Sequence, residues 1–226
     1  FRTRTFQDGW IEVQDEGSQL VGLAVEAKRH ECVVDFCAGA GGKTLHLGAL
    51  MHNTGMLYAF DTAAFRLDRA RERARRAGLS NVRQQVLTSE QDVRLQRLHG
   101  KADRVLVDAP CSGSGTWRRN PDMKWRMDAA TIQRLAQDQQ RILRAAAALV
   151  KPGGRLVYAT CSLLPQENEQ TVADFLAHTP GFRIEPVSGL LARRDIILDS
   201  PDGFLRLRPD RHGTDGFFVA ALTRSS

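Results

Sequence analysis

The chain has 226 residues and a formal net charge of +6, with 42% hydrophobic and 26% charged residues, a composition ordinary for a globular protein of one large domain. No apolar stretch is long enough to cross a bilayer, and no basic-then-apolar secretory leader is visible. The few cysteines fit a reducing cytosol, so a cytoplasmic location is expected. The four cysteines, at positions 32, 37, 111 and 161, are too widely spaced for a disulfide scaffold or a zinc site, and no metal is expected.

Strand and helix patterns alternate along most of the chain. Short apolar runs predict strands at residues 33–36, 56–60, 82–87, 104–108, 155–160, 182–185 and 216–222. Helical spacing predicts helices at residues 44–51, 63–77, 131–150 and 167–177. This alternation predicts an α/β fold with a doubly wound, mostly parallel, seven-stranded sheet that ends in a C-terminal antiparallel strand.

Two regions do not follow the alternation. Residues 1–22 are interpreted as a lead-in, a strand or a lid that packs on a core domain of residues 23–226, and the start at Phe1 resembles the middle of a longer chain. Residues 188–213 carry two prolines and several glycines and are interpreted as an irregular loop.

A glycine-rich turn, Asp35-Phe-Cys-Ala-Gly-Ala-Gly-Gly-Lys-Thr44, follows the first predicted strand. Cys37 stands where a phosphate-binding P-loop requires glycine, and Thr44 stands where a dinucleotide-binding turn requires one. The remaining interpretation is a turn that binds S-adenosylmethionine.

Asp61 ends the second predicted strand, 22 residues after Gly39. An acid at this position can accept hydrogen bonds from both hydroxyls of a ribose, so Asp61 is expected to contact the cofactor. Asp61 can also cap the helix that follows it, and the two roles are compatible. Lys43, at the start of a helix, can neutralise a carboxylate such as the methionine end of the cofactor.

A cysteine follows each of two later strands. Cys111 lies in Asp108-Ala-Pro-Cys-Ser-Gly-Ser-Gly115, and Cys161 lies in Ala159-Thr-Cys-Ser162. Ligands bind beyond the carboxyl ends of parallel strands, so both thiols are expected at the ligand-binding edge on neighbouring strands. Their positions alone make them equally plausible nucleophiles, whereas Cys32 fits the role of an inert buried cysteine.

The chain resembles the Sun/Fmu-type (NOL1/NOP2/Sun) RNA 5-methylcytosine methyltransferases, whose catalytic domain is a Rossmann-like class I methyltransferase. The matching segments are residues 13–18, 35–44, 103–115, 119–125, 158–168 and 215–218. The resemblance implies that S-adenosylmethionine is the cofactor and that RNA is methylated at carbon 5 of a cytosine. Ribosomal RNA is the favoured substrate, and transfer RNA is the alternative.

The resemblance also implies a role for each site residue. Cys161 is expected to add to carbon 6 of the cytosine, and Cys111 is expected to assist release of the product. Asp108 is expected to hold the cytosine edge or the cofactor amine, with its acid form protonating ring nitrogen 3, and Lys43 belongs to the same catalytic group. The resemblance further implies that the turn lines the cofactor with Cys37, Ala38, Gly39, Ala40, Gly41, Gly42 and Lys43. The family's adenosine-binding acid falls at Ser89, with Glu90 beside it, so either side chain is a candidate for that contact.

Residues 117–126 interleave two tryptophans with four basic residues, and the whole chain is basic. Basic side chains follow phosphates, and aromatic rings stack on unpaired bases. RNA contacts are therefore expected from Arg118, Arg119, Lys124 and Arg126, while Trp125 is interpreted as a core anchor of the loop.

Three other functions were weighed against this one. A methyltransferase that acts on a non-RNA substrate leaves the two strand-end cysteines unexplained. A non-catalytic RNA-binding module predicts loss of Lys43, Asp108 or Cys161, and all three are present. A nicotinamide-dependent oxidoreductase conflicts with Thr44. The protein is expected to be a monomer.

Overall fold

The computed structural model describes residues 2–226. The helices of these residues are α1 (Arg4–Gln7), α2 (Glu16–Val25), α3 (Gly42–Leu50), α4 (Ala64–Arg76), α5 (Ala129–Ala147), α6 (Glu169–His178), α7 (Val187–Ala192) and α8 (Pro209–His212). The strands are β1 (Cys32–Asp35), β2 (Met56–Asp61), β3 (Val82–Val86), β4 (Ala102–Asp108), β5 (Val150–Thr160), β6 (Phe182–Glu185), β7 (Leu205–Leu207) and β8 (Phe217–Arg224). Short 3-10 turns at Pro121–Arg126 and Pro165–Glu167 matter for the site.

All of these strands form one sheet with the order β3-β2-β1-β4-β5-β8-β6, and β7 pairs with β8. Strands β1 to β5 are parallel, and β8 runs antiparallel to β5, β6 and β7. The doubly wound, mostly parallel sheet with a C-terminal antiparallel strand is therefore confirmed. The chain winds outward from β1 to β3 and then returns to the other side of β1, so the switch point lies between β1 and β4.

The central strands are apolar because the sheet is covered on both faces. Successive residues of a strand face opposite sides, and here they enter different clusters. Val34 and Val105 belong to one buried cluster with Leu143 of α5. Val33 and Leu106 belong to a second cluster on the opposite face, together with residues of α2, α3 and α7. These two layers hold the carboxyl ends of β1 and β4 in place.

The lead-in is helical, so its interpretation as a strand is wrong. Asp15 accepts a hydrogen bond from the Gly17 amide (2.9 Å) and caps α2, whose Val21 and Val25 are completely buried. The expected boundary at residue 22 falls inside this helix. Helix α2 is short and carries two glycines, so it is stabilised mainly by packing on the core, which a local pattern does not reveal.

Residues 188–213 are more ordered than the sequence indicates. They contain most of α7, all of α8 and the three-residue strand β7, which pairs with β8 from Leu205 opposite Val219. Strand β7 is the reason that the described residues form eight strands and not the seven predicted. Strand β5 also begins at Val150, five residues earlier than expected, with an irregular register opposite Ala102.

Within residues 2–226, no helix has the length and apolar character needed to cross a membrane.

Candidate active site

The carboxyl ends of the parallel strands border a cleft of about 290 Å³ at the switch point. Five of the predicted cofactor residues line it: Cys37, Gly39, Asp61, Ser89 and Asp108. A larger cavity of about 400 Å³ lies between residues 9–14 and helices α3 and α4, but it holds none of these five side chains. The smaller cleft is therefore the candidate cofactor site, because it contains the residue types that the sequence indicates.

Asp61 ties the glycine-rich turn to the start of α4. Its Oδ2 accepts a hydrogen bond from the Gly39 amide (2.9 Å), and its Oδ1 accepts one from the Ala63 amide (2.8 Å). The N-cap of α4 is Ala63, so Asp61 shapes the turn before the helix and does not cap it. A carboxylate has about four acceptor positions, so Asp61 can still accept ribose hydroxyls from the cleft.

The rest of the glycine-rich turn serves as scaffold. Gly41 has a φ of 86°, and a Cβ at this position would lie 2.8 Å from the Cβ of Ala70, so only glycine lets α3 pack this closely on α4. The Ala40 carbonyl accepts a hydrogen bond from Arg73 (2.6 Å). Of the predicted cofactor residues, Ala38, Ala40, Gly41, Gly42 and Lys43 do not line the cleft.

Asp35 is a site residue that the sequence analysis did not single out. It is completely buried at the end of β1, and its Oδ2 accepts a hydrogen bond from the Thr44 hydroxyl (2.7 Å). Its Oδ1 has no hydrogen-bond partner among residues 2–226. Burial raises the pKa of Asp35 to about 7. The available signal was an acid that ends the first strand at the ligand-binding edge.

These groups fit S-adenosylmethionine. Asp61 provides carboxylate oxygens for a ribose, and Asp35 provides an unpartnered buried carboxyl oxygen beside the same turn. Phe36, Leu87 and Ile142 line the cleft with apolar surface suited to an adenine ring.

Both candidates for the adenosine contact lie at the cleft, Ser89 and Glu90. Glu90 accepts a hydrogen bond from Arg141 of α5 (3.1 Å), which fixes its position. The Ser89 hydroxyl accepts a hydrogen bond from the Gln91 amide (3.2 Å). The choice between them stays a prediction.

Lys43 and Asp108 form an ion pair between the first turn of α3 and the end of β4. The Lys43 ammonium donates a hydrogen bond to Asp108 Oδ2 (2.7 Å) and lies 5.3 Å from the centre of the Phe217 ring. Burial lowers the pKa of Lys43, but the charge and hydrogen bond of Asp108 outweigh it, so the pKa is raised. Lys43 therefore stays cationic, and the carboxylate that it contacts belongs to the protein itself.

The two strand-end cysteines meet, with Cys111 Sγ and Cys161 Sγ 3.4 Å apart. A hydrogen bond from Cys111 lowers the pKa of Cys161 and outweighs burial and the negative charge of Asp108, which both raise it. The positive charge of Lys43 also lowers it. The same hydrogen bond, together with burial, raises the pKa of Cys111 well above its usual range. The sequence left the two thiols equal, whereas this geometry makes Cys161 the better thiolate.

The predicted RNA-binding residues fall into two groups. Arg118 and Arg119 are half-exposed, but both guanidinium groups pair with the buried carboxylate of Asp215. Arg118 Nε and Arg119 Nε each donate to it over 2.8 Å. Their charges are therefore partly neutralised, and they anchor the loop to the segment before β8.

The second group contains Lys124 and Arg126, which flank Trp125 on the Pro121–Arg126 turn. Trp125 is 81% exposed, so its interpretation as a core anchor is wrong. The Lys124 ammonium lies 4.6 Å from the centre of its ring, and Arg126 pairs with Asp122 (3.3 Å). Trp117 is the partly buried tryptophan of this loop.

Comparison with known proteins identifies close relatives. Residues 22–223 match the family model described as 16S rRNA methyltransferase RsmB/F. The chain is 39% identical over 223 residues to the probable ribosomal RNA small subunit methyltransferase B of Synechocystis sp., covering 97% of this chain and 49% of that protein. It is 38% identical over 224 residues to the corresponding protein of Bacillus subtilis, covering 98% of this chain and 49% of that protein. The chain thus spans about half the length of the curated relatives that it matches.

The solved structure of NSun6 from Pyrococcus horikoshii with SFG matches the model with a TM-score of 0.86 and 30% identity, covering 100% of this chain and 56% of that chain. SFG is an analogue of S-adenosylmethionine, so the predicted cofactor is confirmed as that of the family. The family model and the identities agree with the resemblance carried by the cysteine motifs: the chain belongs to the 16S rRNA methyltransferase RsmB/F family.

Proposed function

We propose that this chain carries the catalytic site of a methyltransferase that modifies carbon 5 of a cytosine in small-subunit ribosomal RNA, with Cys161 as the nucleophile. The observation that carries the proposal is the pair of thiols 3.4 Å apart, in which the hydrogen bond from Cys111 lowers the pKa of Cys161. The names of the relatives support small-subunit ribosomal RNA as the substrate class. A non-catalytic RNA-binding module has no use for this arrangement.

Carbon 5 of cytosine is a poor nucleophile until a group adds to carbon 6. In the proposed reaction the Cys161 thiolate forms a bond to carbon 6, a proton is held at ring nitrogen 3, and carbon 5 becomes enamine-like. S-Adenosylmethionine, when bound, supplies the methyl group that carbon 5 takes. A base then removes the carbon 5 proton, the sulfur–carbon 6 bond breaks, nitrogen 3 releases its proton, and Cys161 returns to its thiolate form.

Asp108 is the proposed partner of cytosine nitrogen 3. Its Oδ2 accepts the hydrogen bond from Lys43, whereas its Oδ1 makes no hydrogen bond to residues 2–226. Asp108 therefore keeps a free oxygen at the edge of the cleft and is fixed through the other. The Cys111 thiol, beside Cys161, is placed to assist release of the product.

The target cytosine must leave its base stack before a thiolate can reach carbon 6. The exposed Lys124, Trp125 and Arg126 lie on the turn that follows the Cys111 loop, and they are the proposed contacts with flanking RNA. Met123 of the same turn packs on that loop, because a Cβ at Gly113 would lie 2.8 Å from its terminal methyl group. The turn therefore couples the RNA-contacting surface to the site.

The first prediction concerns the two cysteines. Unmodified small-subunit ribosomal RNA is incubated with S-adenosylmethionine and each variant, and the methylated position is located by bisulfite sequencing. Cys161→Ala is expected to abolish methylation and to leave no RNA-linked protein on a denaturing gel. Cys111→Ala is expected to accumulate RNA-linked protein, because addition proceeds and release is slowed.

Exchanged phenotypes would overturn the assignment of the nucleophile. A wild-type protein that binds the RNA but transfers no methyl group would instead favour the non-catalytic alternative. Methylation at an atom other than carbon 5 would contradict the proposed reaction and leave the family assignment intact.

A further inference from the structure

Glu167 lies at the centre of a buried network behind the two cysteines. The side chain is 0% exposed, and among residues 2–226 no lysine or arginine forms an ion pair with it. A buried carboxylate without a cation is costly unless hydrogen bonds satisfy its oxygens. Such a group is retained where its position or its charge is needed.

The hydrogen bonds to this carboxylate come from both cysteine loops. Oε1 accepts from the Ser112 amide (2.8 Å) and from Gln139 of α5 (3.0 Å). Oε2 accepts from the hydroxyls of Ser112 and Ser162, each at 2.5 Å. Ser112 directly follows Cys111, and Ser162 directly follows Cys161. One carboxylate therefore bridges the residues next to the two thiols.

The backbone around Glu167 is fixed as well. Its carbonyl accepts a hydrogen bond from the buried Tyr158 hydroxyl (2.6 Å), which ties the Pro165–Glu167 turn to β5. The side chain of Asn168 donates to the Ser162 carbonyl (2.9 Å) and accepts from Thr160 (2.5 Å). The carboxylate thus has a rigid base from which to position both loops.

We propose that Glu167 is a positioning residue, which acts through Ser112 and Ser162 to hold the sulfurs of Cys111 and Cys161 next to each other and to keep the negative charge on Cys161. This inference rests on the proposed function, because it assumes that the two cysteines carry out the reaction.

The negative charge of Glu167 supports its proposed role in keeping the negative charge on Cys161. Besides the hydrogen bond to Cys161 and burial, the negative charge of Glu167 contributes to raising the pKa of Cys111. Cys161 is influenced by both members of the Lys43–Asp108 ion pair, since the anion raises its pKa and the cation lowers it. Cys111 therefore faces a buried anion that has no paired cation among the described residues, whereas Cys161 faces an ion pair, and this difference distinguishes two thiols that are chemically alike.

The test is the substitution Glu167→Gln, which keeps the shape and removes the charge. Alkylation of each cysteine by iodoacetamide is followed by mass spectrometry from pH 5 to 10, a measurement that needs neither RNA nor cofactor. In the wild type Cys161 is expected to react at lower pH than Cys111. In the variant the midpoint of Cys161 is expected to rise and that of Cys111 to fall, each by at least about half a pH unit, because one unit reflects a tenfold change in the ionisation equilibrium.

Methyl transfer provides the second measurement. We expect kcat to fall at least about 10-fold in Glu167→Gln, because misplacing a reacting group by ~1 Å can cost about 100-fold. The KM for S-adenosylmethionine should change less than about twofold, because Glu167 does not line the cofactor cleft.

The matched control is Glu169→Gln, two residues along the chain. Glu169 is 33% exposed and pairs with Arg206 (2.6 Å), and within residues 2–226 its side chain forms no hydrogen bond or ion pair with either cysteine loop. In the Glu169→Gln variant, the pH dependence of alkylation at both cysteines and the kcat should equal those of the wild type. If Glu167→Gln does not fold, as judged by circular dichroism, Ser112→Ala and Ser162→Ala each remove one hydroxyl from the network and should shift the thiol midpoints in the same directions.

Folded variants with wild-type thiol profiles and wild-type kcat would overturn the inference. A variant that is less stable but keeps both thiol profiles would also overturn it, since Glu167 would then act only on folding. If the wild type itself transfers no methyl group, the proposed function fails, while the thiol profiles still decide the role of Glu167.

Discussion

Lys43 joins two parts of the candidate site that lie on different elements. It projects from the first turn of α3 and donates to Asp108 at the end of β4, while its charge contributes to lowering the pKa of Cys161. A single buried cation therefore acts on the proposed nitrogen 3 partner and on the nucleophile. In a water-poor site such fixed charges contribute more than they would in solution.

The Lys43→Met substitution tests this arrangement. Without the cation the pKa of Cys161 should rise, so less thiolate is present at pH 7 and methyl transfer should fall by roughly 100-fold. Part of the loss should be recovered at higher pH, and the pH midpoint of kcat/KM should move upward. The measurement is a pH profile of methyl transfer for the two proteins.

Lys28→Met is a suitable control, because Lys28 is exposed and lies outside the site. It should leave the pH profile unchanged. An unchanged midpoint in Lys43→Met would contradict the role of Lys43 in activating Cys161, even if the overall rate fell.

The sequence predicted those residues of the candidate site whose positions follow from the order and direction of the strands in the sheet. Cys111, Cys161 and Asp108 follow the ends of parallel strands, and such ends meet at one edge of a sheet. Glu167 was not predicted because one of its partners, Ser112, lies 55 residues away and its own segment looked like the start of a helix. Asp35 was missed because a strand-end acid also fits an ordinary turn.

At the scale of elements, the Pro121–Arg126 turn presents the most exposed aromatic side chain of the site region. The sequence pattern located the tryptophans and the basic residues but assigned the wrong tryptophan to the core. Nothing local distinguishes Trp117 from Trp125. Asp215, which lies 97 residues after Arg118, ties the loop next to Trp117 to the segment before β8. The exposed member of the pair is the one available to RNA.

Trp125→Ala should therefore weaken RNA binding without affecting stability. Stacking on an aromatic side chain contributes about 1–3 kcal/mol per base, so the Kd for an unstructured RNA oligonucleotide should rise by roughly 5- to 150-fold. Fluorescence anisotropy with a labelled RNA measures the change, and thermal unfolding checks the fold.

Two variants show whether the contact is stacking. Trp125→Phe should retain much of the affinity, because a smaller ring still stacks. Lys124→Ala should reduce the salt dependence of binding, because a phosphate contact releases counterions, whereas Trp125→Ala should leave it unchanged. Equal affinity of Trp125→Ala and wild type would exclude the turn as a stacking surface.

At the scale of the whole molecule, the doubly wound sheet was predictable because each central strand is a short apolar run between polar turns. Two of the missed elements, α2 and β7, depend on contacts with distant parts of the chain. Gly115 illustrates the limit: a Cβ there would lie 2.3 Å from the Gly216 carbonyl oxygen, 101 residues along the chain. The motif contains this glycine, but only the folded structure explains it.

The buried acid at the switch point of the sheet also affects the stability of the folded protein. Asp35 is buried between both helical layers, and burial raises its pKa from 3.8 to about 7, with the Thr44 hydrogen bond acting in the opposite direction. The folded protein therefore keeps this proton up to about pH 7, while the unfolded chain releases it near the ordinary pKa. Since the folded state binds more protons in this range, the contribution of Asp35 to the free energy of unfolding falls as the pH rises from about 4 to about 7.

Asp35→Asn should remove this dependence. Asparagine still offers an oxygen to the Thr44 hydroxyl and does not titrate. Urea unfolding at several pH values is expected to show the variant gaining stability relative to the wild type between pH 4 and 8, by up to about 4 kcal/mol, since each pKa unit is worth about 1.4 kcal/mol.

Acids whose pKa is lowered, such as Asp215 beside its two arginines, act alike in both proteins and cancel in the difference. Asp199→Asn, at an exposed site, should give a difference that does not vary with pH. If the Asp35→Asn difference were equally flat, Asp35 would be ionised in the folded protein, and the unpartnered oxygen at the switch point would belong to a buried carboxylate and not to an acid.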